Sequence, residues 1–272
     1  MYIKHFGMIQ YPFSLTPNTR YFLKLPTHEE AFQQLLSALD SEETFIKLVG
    51  EVGTGKTMLC RKVLNAIAHH KEKYVTAYIP HPYLDEQNMM LMLAGELSLN
   101  DTEGASYREL LKTISKKIVA LSKESKKLIL FIDEAQAIPA ETLSALHLLS
   151  SIDTREVNFQ VILFGQPELD LLLDQPMLHS LKQSMSSSLH LQPLDRQSVG
   201  AYIEHRLIKA GYNGNSLFTK AAVSDIFEFS NGIPRLVNVL CHKSLMVAYG
   251  KGQHSVTETH TKSAILDSEQ LF

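Results

Sequence analysis

The chain has 272 residues, of which 44% are apolar and 20% charged, so it can bury one large domain or a large and a small one. This composition excludes a disordered chain, and the net charge of −3 provides no electrostatic basis for nucleic acid as the main partner. No run approaches the ~20 apolar residues that span a bilayer, and the N-terminus lacks the apolar core and cleavage site of a signal peptide. We therefore expect a cytoplasmic chain without a transmembrane segment, in which Cys60 and Cys241 are core thiols.

The first predicted elements are an aromatic, proline-punctuated segment, FGMIQYPFSLTPNTRYF, and a helix from Thr27 to about Leu39. Thr27 is the expected N-cap, with Glu30 three residues later. Apolar runs of strand length then alternate with helical patterns. The predicted strands cover 44–50, 74–79, 128–133 and 159–165, and the predicted helices cover 55–68, 85–97, 107–125 and 140–151. Continuous apolar strands separated by helices predict a parallel sheet covered on both faces.

After HLQPL (190–194) no further strand is predicted. Helical patterns cover 196–210, 218–230, 234–249 and 256–267, and glycines mark the breaks between them. We therefore predict an N-terminal segment with a large α/β domain over 1–192 and a small helical domain over 193–272.

The stretch GEVGTGKT (50–57) has the spacing G-x-x-x-x-G-K-[ST] and lies between a predicted strand and a predicted helix. Its glycines allow backbone N–H groups to surround phosphates, and the helix N-terminus adds positive potential. Lys56 would reach the β- and γ-phosphates of ATP, and the Thr57 hydroxyl would bind Mg²⁺. The residues expected to bind ATP or ADP are Gly50, Glu51, Val52, Gly53, Thr54, Gly55, Lys56, Thr57, Met58 and, from the helical domain, Arg235.

Two acids, Asp133 and Glu134, follow the apolar run LILFI, at the strand end where ligands bind in open α/β sheets. We predict that Asp133 holds Mg²⁺ through water and that Glu134 polarises the attacking water. The alternative is that both carboxylates only cap the following helix.

Two further polar residues are candidates for catalytic roles. Gln166 ends the next strand in FGQPEL (164–169) and would orient the attacking water or sense the γ-phosphate; the alternative is a turn residue before Pro167. Arg235 lies in the first turn of a predicted helix in GIPRLVN (232–238) and would fold back over the nucleotide; the alternative is a surface arginine.

Together these motifs resemble the AAA+ ATPase superfamily, and within it the branch of general secretion pathway protein A and the MSHA (mannose-sensitive haemagglutinin) pilus biogenesis ATPase MshM. The resemblance covers nearly the whole chain, through the aromatic opening, GEVGTGKT, IDEAQ, FGQPELD, HLQPL and GIPRLVN in this order. The length favours the MshM type, because secretion-type relatives continue into a membrane span and a cell-wall-binding domain.

The resemblance implies a RecA-like P-loop αβα sandwich with a five-stranded parallel sheet, a C-terminal helical lid, a nucleotide between them and often a ring of subunits. It makes Asp133 and Glu134 the Walker B acids, Gln166 the sensor 1 residue and Arg235 the sensor 2 arginine. The aromatic opening corresponds to a strap near the adenine.

For the aromatic residues of this strap, Phe13 and Tyr21 included, core packing and direct contact with the base are both open.

One segment departs from the family pattern. Relatives carry arginines between the sensor 1 strand and HLQPL, and one of them acts as a finger on the neighbouring subunit's nucleotide. In this chain the segment 176–194 has none; His179, Ser184 and Ser188 stand roughly at those positions. An arginine finger contributes about 10³–10⁵ in rate, and a point-charge lysine such as Lys182 does not replace its planar fork.

Relatives also commonly carry asparagine where this chain has Ala137 and Ser151.

Three hypotheses follow. The first is a Mg²⁺-dependent ATPase that forms homo-oligomers and assists pilus or secretion assembly proteins, in the cytoplasm or at the inner membrane through a partner. The second is an ATP-gated interaction module with marginal hydrolysis, because the finger is missing. The third is a DNA-transposition-type AAA+ regulator, for which the lysines of SKKIVALSKESKK (115–127) are the only basic candidate; a solvated helix face is the alternative, and we expect no nucleic-acid partner.

Overall fold

The protein is seen in a computed structural model that describes residues 2–16, 18–100, 102, 104–150, 158–185 and 187–269. The chain divides into two compact units. The first unit contains Met1–Glu29, Glu51–Met58 and Gln192–Phe272, and the second contains Glu30–Gly50 and Leu59–Leu191. The division into an α/β domain over 1–192 and a helical domain over 193–272 stays a prediction.

The second unit is built on a parallel sheet of five strands in the order β2-β3-β4-β1-β5. The strands are β1 (Phe45–Val49), β2 (Tyr74–Ile79), β3 (Lys127–Ile132), β4 (Phe159–Gly165) and β5 (Ser187–His190). The central strands β3 and β4 are almost wholly buried, as their continuous apolar runs predict. The parallel α/β sheet and the five strands expected from the resemblance are confirmed.

β5 is the strand that the apolar pattern did not locate. Its sequence, SSLH, has a single strongly apolar residue, and its side chains alternate between half-buried and exposed at the sheet edge. An edge strand of four residues is held by its backbone pairing with β1 and needs little apolar surface.

Helices cover this sheet and connect its strands. They are α2 (Pro26–Leu39), α3 (Lys56–Ile67), α4 (Glu86–Glu96), α5 (Tyr107–Lys123), α6 (Ala140–Ser150), α7 (Glu168–Leu173) and α8 (His179–Gln183). α2 and α3 each begin in residues of the first unit and continue in the second. α5 begins with a complete capping box between Ser106 and Glu109 and buries the apolar side chains Leu110, Ile114, Ile118 and Leu121.

One helix start differs from the prediction. α2 begins at Pro26, so Thr27 lies inside the first turn and is not the N-cap. Its hydroxyl lies 3.3 Å from Nδ1 of His28. Proline is favoured in the first turn because its φ is already helical and it has no N–H to satisfy.

The first unit is helical. Its helices are α1 (Tyr2–His5), α9 (Arg196–Lys209), α10 (Lys220–Ser230), α11 (Pro234–Gly250) and α12 (Glu258–Glu269). They enclose a core to which the N-terminal segment contributes Phe6, Phe13 and Leu25. The helical lid segments expected after residue 194 are therefore present.

A buried arginine fastens the N-terminal segment to α9. Arg206 is 5% exposed; its Nε donates to the carbonyl of Pro12 at 2.6 Å and one terminal nitrogen donates to that of Ser14 at 3.1 Å. Its guanidinium carbon lies 4.6 Å from the ring centroid of Tyr21. Phe13 is 3% exposed and packs edge-to-face on Phe218. Core packing therefore accounts for both aromatic strap residues.

Both cysteines are buried free thiols, as expected, and burial raises the pKa of each. Among the described residues, no helix is long and apolar enough to cross a membrane.

Candidate nucleotide-binding site

The glycine-rich loop leaves the carboxyl end of β1 and leads into α3, as the motif predicts. Gly50 N–H donates to the carbonyl of Gly165 at 3.2 Å, which starts the loop beside the end of β4. The carbonyl of Glu51 accepts from the Thr54 hydroxyl at 2.8 Å and from Lys56 Nζ at 3.0 Å. Lys56 is 5% exposed, so its ammonium is held within the loop itself. A buried cation among backbone groups suits a polyphosphate.

The start of α11 packs directly against this loop. Arg235 N–H donates to the carbonyl of Gly53 at 3.2 Å. Gly53 has φ +85°, and a Cβ on it would lie 2.6 Å from Cβ of Arg235. Glycine is needed here both for the left-handed backbone and for the close approach. Arg235 is exposed, and its aliphatic side-chain carbons also lie beside the loop, since a Cβ on Gly53 would lie 3.4 Å from Cδ of Arg235.

The motifs HLQPL and GIPRLVN contact each other at the turn that precedes α11 in the chain. Leu194 N–H donates to the carbonyl of Gly232 at 2.9 Å. Gly232 has φ +73°, and a Cβ on it would lie 1.9 Å from the carbonyl oxygen of Leu194. This contact leaves no room for any side chain at residue 232.

The two acids expected to form the Walker B motif, Asp133 and Glu134, follow β3. Asp133 is 3% exposed, its N–H donates to the carbonyl of Ile79 at 2.9 Å, and its Oδ1 accepts from Glu134 N–H at 3.0 Å. Burial and the nearby Asp133 carboxylate raise the pKa of Tyr78 to about 12. A buried carboxylate at a strand end has the oxygen-donor chemistry that Mg²⁺ requires.

Glu134 joins the IDEAQ and FGQPEL motifs. Its Oε2 accepts from Nε2 of Gln136 at 2.7 Å and from Nε2 of Gln166 at 3.0 Å. Oε1 of Gln136 in turn accepts from Gln166 N–H at 3.0 Å. Glu134 has φ 52° and ψ 39°, a left-handed conformation that costs a non-glycine residue about 1–3 kcal/mol. The two amides thus fix both the position and the rotamer of this carboxylate.

The predicted site residues fall into two groups. The loop Gly50–Met58 leads into α3, and Arg235 contacts it at Gly53; Asp133, Glu134 and Gln166 lie at the carboxyl ends of β3 and β4. Gln136 was missed as a partner of Glu134, although it stands inside the IDEAQ motif. His28, which donates to the loop, had no recognisable signal, because its role depends on α2 lying beside the loop.

The segment without arginines contains all of α8 and the edge strand β5. Its one lysine, Lys182, forms an ion pair with Asp174. His179 begins α8, and Ser184 donates its hydroxyl to the carbonyl of Leu181. Ser151 lies outside the described residues.

The lysine-rich helix α5 presents its basic residues to solvent. Arg108, Lys112, Lys116 and Lys123 are exposed and line an open groove of about 630 Å³ along the helix. This is the arrangement expected of a solvated amphipathic face.

Comparison with known proteins agrees with this architecture. The family model for an AAA domain matches residues 39–173. ORC2 of Aeropyrum pernix has a TM-score of 0.68 at 19% identity, covering 94% of this chain and 71% of that chain. The RuvB Holliday junction branch migration motor of Thermotoga maritima has a TM-score of 0.56 at 18% identity, covering 87% of this chain and 68% of that chain. The fold is therefore that of the AAA+ P-loop ATPases.

A more specific relationship comes from sequence. General secretion pathway protein A of Aeromonas hydrophila is 36% identical over 257 residues, which cover 94% of this chain and 46% of that protein. The chain belongs to the general secretion pathway protein A family of AAA+ ATPases, and it spans about half the length of that curated relative.

Proposed function

We propose that the chain binds ATP with Mg²⁺, hydrolyses it to ADP and phosphate, and assists assembly of a type IV pilus of the MSHA kind or of a secretion apparatus. The observation that supports hydrolysis best is the bond from Gln166 to Glu134, because it orients a carboxylate that would accept a proton from water. The family relationship supports the assembly role.

In this proposal the loop Gly50–Met58 binds the phosphates, with Lys56 as their cation. On the motif spacing, Asp133 and the Thr57 hydroxyl would hold Mg²⁺, which supplies charge neutralisation at the phosphates. Glu134 takes the proton from the attacking water, and Gln166 keeps the carboxylate aimed. Arg235 would fold back over the nucleotide from the first turn of α11.

The partners we propose are pilus or secretion assembly proteins, met in the cytoplasm or at the inner membrane, together with further copies of this chain. A nucleotide-dependent ring is the form of homo-oligomer that the AAA+ resemblance supports.

Glu134→Gln tests the hydrolytic role. We expect ATP binding to persist and Mg²⁺-dependent turnover to fall by about 10²–10⁴, because the amide cannot take the proton. Phosphate release and ATP affinity would be measured with Mg²⁺ and with EDTA, and Glu141→Gln on α6 serves as the control. A wild type that releases no phosphate, alone or with assembly proteins, would contradict the hydrolase proposal.

A second candidate is the ATP-gated interaction module. It is favoured by the absence of arginine from 176–194 and by the engagement of Lys182 with Asp174. It predicts micromolar ATP binding with very slow turnover that Glu134→Gln leaves unchanged.

The two candidate functions predict different dependences of the ATPase rate per subunit on protein concentration. A rate per subunit that rises with concentration means that intersubunit catalysis operates without the usual finger. A rate that stays low and flat, with ATP still bound, supports the module.

A further inference from the structure

A buried histidine touches the phosphate-binding loop from the side of α2. His28 is 8% exposed, and its Nε2 lies 2.9 Å from the carbonyl oxygen of Thr54. A carbonyl only accepts, so Nε2 carries the proton and donates. Nδ1 lies 3.3 Å from the Thr27 hydroxyl, which donates to it in the neutral imidazole. Burial lowers the pKa of His28, in agreement with the neutral form.

This bond determines which way one peptide group of the loop faces. In a planar trans peptide the carbonyl oxygen and the following N–H point in opposite directions. Because the Thr54 oxygen points to His28, the N–H of Gly55 points away from it. The preceding carbonyl, that of Gly53, is held in the same manner by Arg235 N–H at 3.2 Å.

Two successive loop carbonyls are thus held by groups that lie outside the loop in sequence. A loop that binds phosphates through its N–H groups loses affinity when those groups are free to rotate, because ordering them then opposes binding. Gly55 also neighbours the histidine, since a Cβ on it would lie at a contact distance of 3.4 Å from Nε2 of His28.

We propose that His28 is a positioning residue for phosphate binding, which holds the Thr54–Gly55 peptide so that Gly55 N–H is preorganised for a nucleotide phosphate. This inference rests on the proposed nucleotide binding and assigns part of its affinity to a residue of α2. It applies to the phosphates and not to the base.

The test compares four variants with the wild type. His28→Leu fills space without a donor, His28→Gln places an amide donor near the Nε2 position, and His28→Asn carries the same amide too short to reach. His260→Leu is the control, because His260 is fully buried in the same unit and its Nδ1 accepts from Thr257 N–H without touching the loop. Dissociation constants for ADP, tripolyphosphate and adenosine are measured alongside the melting temperature.

We expect His28→Leu and His28→Asn to lower the affinity for ADP and for tripolyphosphate about three- to tenfold. This factor corresponds to the loss of one neutral hydrogen bond. Adenosine affinity stays unchanged, His28→Gln recovers most of the loss, and His260→Leu lowers the melting temperature with nucleotide affinity intact. If His28→Leu fails to fold, the comparison of glutamine with asparagine carries the test.

Equal affinities for ADP in the glutamine and asparagine variants would overturn the role of His28, as would an equal loss for adenosine. A wild type that binds neither ADP nor tripolyphosphate would instead overturn the proposed function, so the two failures are distinguishable.

Discussion

At the scale of single residues, the site depends on one carboxylate held in an unfavourable backbone conformation. Glu134 stays left-handed because two glutamine amides and the end of β3 determine its position. Strain of this kind persists only where surrounding contacts over-determine a residue. The structure therefore gives Gln166 a definite task, to orient Glu134, besides beginning the turn before α7.

Gln166→Leu tests this task. It removes one donor to Glu134 while keeping the side-chain volume, so we expect kcat to fall about tenfold or more with ATP affinity unchanged. Steady-state ATPase assays and equilibrium ATP binding would separate the two quantities. Gln175→Leu is the matched control, because Gln175 is exposed and its side chain does not cap the turn that follows. Loss of ATP affinity in place of rate would contradict a role through Glu134.

At the scale of elements, the helical unit depends on close backbone contacts that cannot be predicted from its sequence motifs. The turn before α11 is placed by Gly232 against Leu194, and α11 then starts with Pro234 beside the phosphate loop. Arg206 fastens the N-terminal segment to α9 by satisfying two of its carbonyls. These contacts connect segments that lie far apart in the chain.

Gly232→Ala tests the turn. Its new Cβ would clash with the carbonyl of Leu194 in a left-handed backbone, so we expect the free energy of unfolding to fall by at least about 2 kcal/mol. Gly250→Ala is the control, since a Cβ there meets nothing within 4 Å and Gly250 ends a helix. Chemical denaturation of both variants gives the comparison, and equal stabilities would contradict the importance of this contact.

At the scale of the whole molecule, net charge and charge placement bear on the partner. The chain carries −3 in total, and the basic groove of α5 is a local exception on a helix whose apolar face is buried. A duplex is bound non-specifically where Lys and Arg neutralise its phosphates, and a net charge of −3 on the protein opposes the approach of such a polyanion.

We therefore expect no gel shift with a random DNA duplex even at about 50 mM salt, where phosphate contacts are much stronger than at about 200 mM. The measurement compares the wild type with Lys112→Glu/Lys116→Glu. A shift that this double variant abolishes would contradict the expectation and support the DNA-regulator reading.

Much of the molecule follows from sequence patterns alone. The four apolar strands, most of the longer helices, the loop GEVGTGKT and the acids after β3 were all locatable, because periodicity and motif spacing are local properties. β5 was not, since an edge strand can form with little apolar signal. The true start of α2 was not either, since Pro26 initiates the helix before the threonine that resembles a cap.

The sequence by itself determined the fold class and the family and located the glycine-rich loop and the two acids, because glycines, a lysine and carboxylates at this spacing are typical of phosphate-binding sites. Only the tertiary structure decided that Gln136 and Gln166 share Glu134, that Arg235 N–H donates to the carbonyl of Gly53, and that His28 donates to the carbonyl of Thr54. Apart from the local pair of Glu134 and Gln136, these contacts join residues 26 to 182 positions apart, and such pairings are set by how the elements pack rather than by any local pattern.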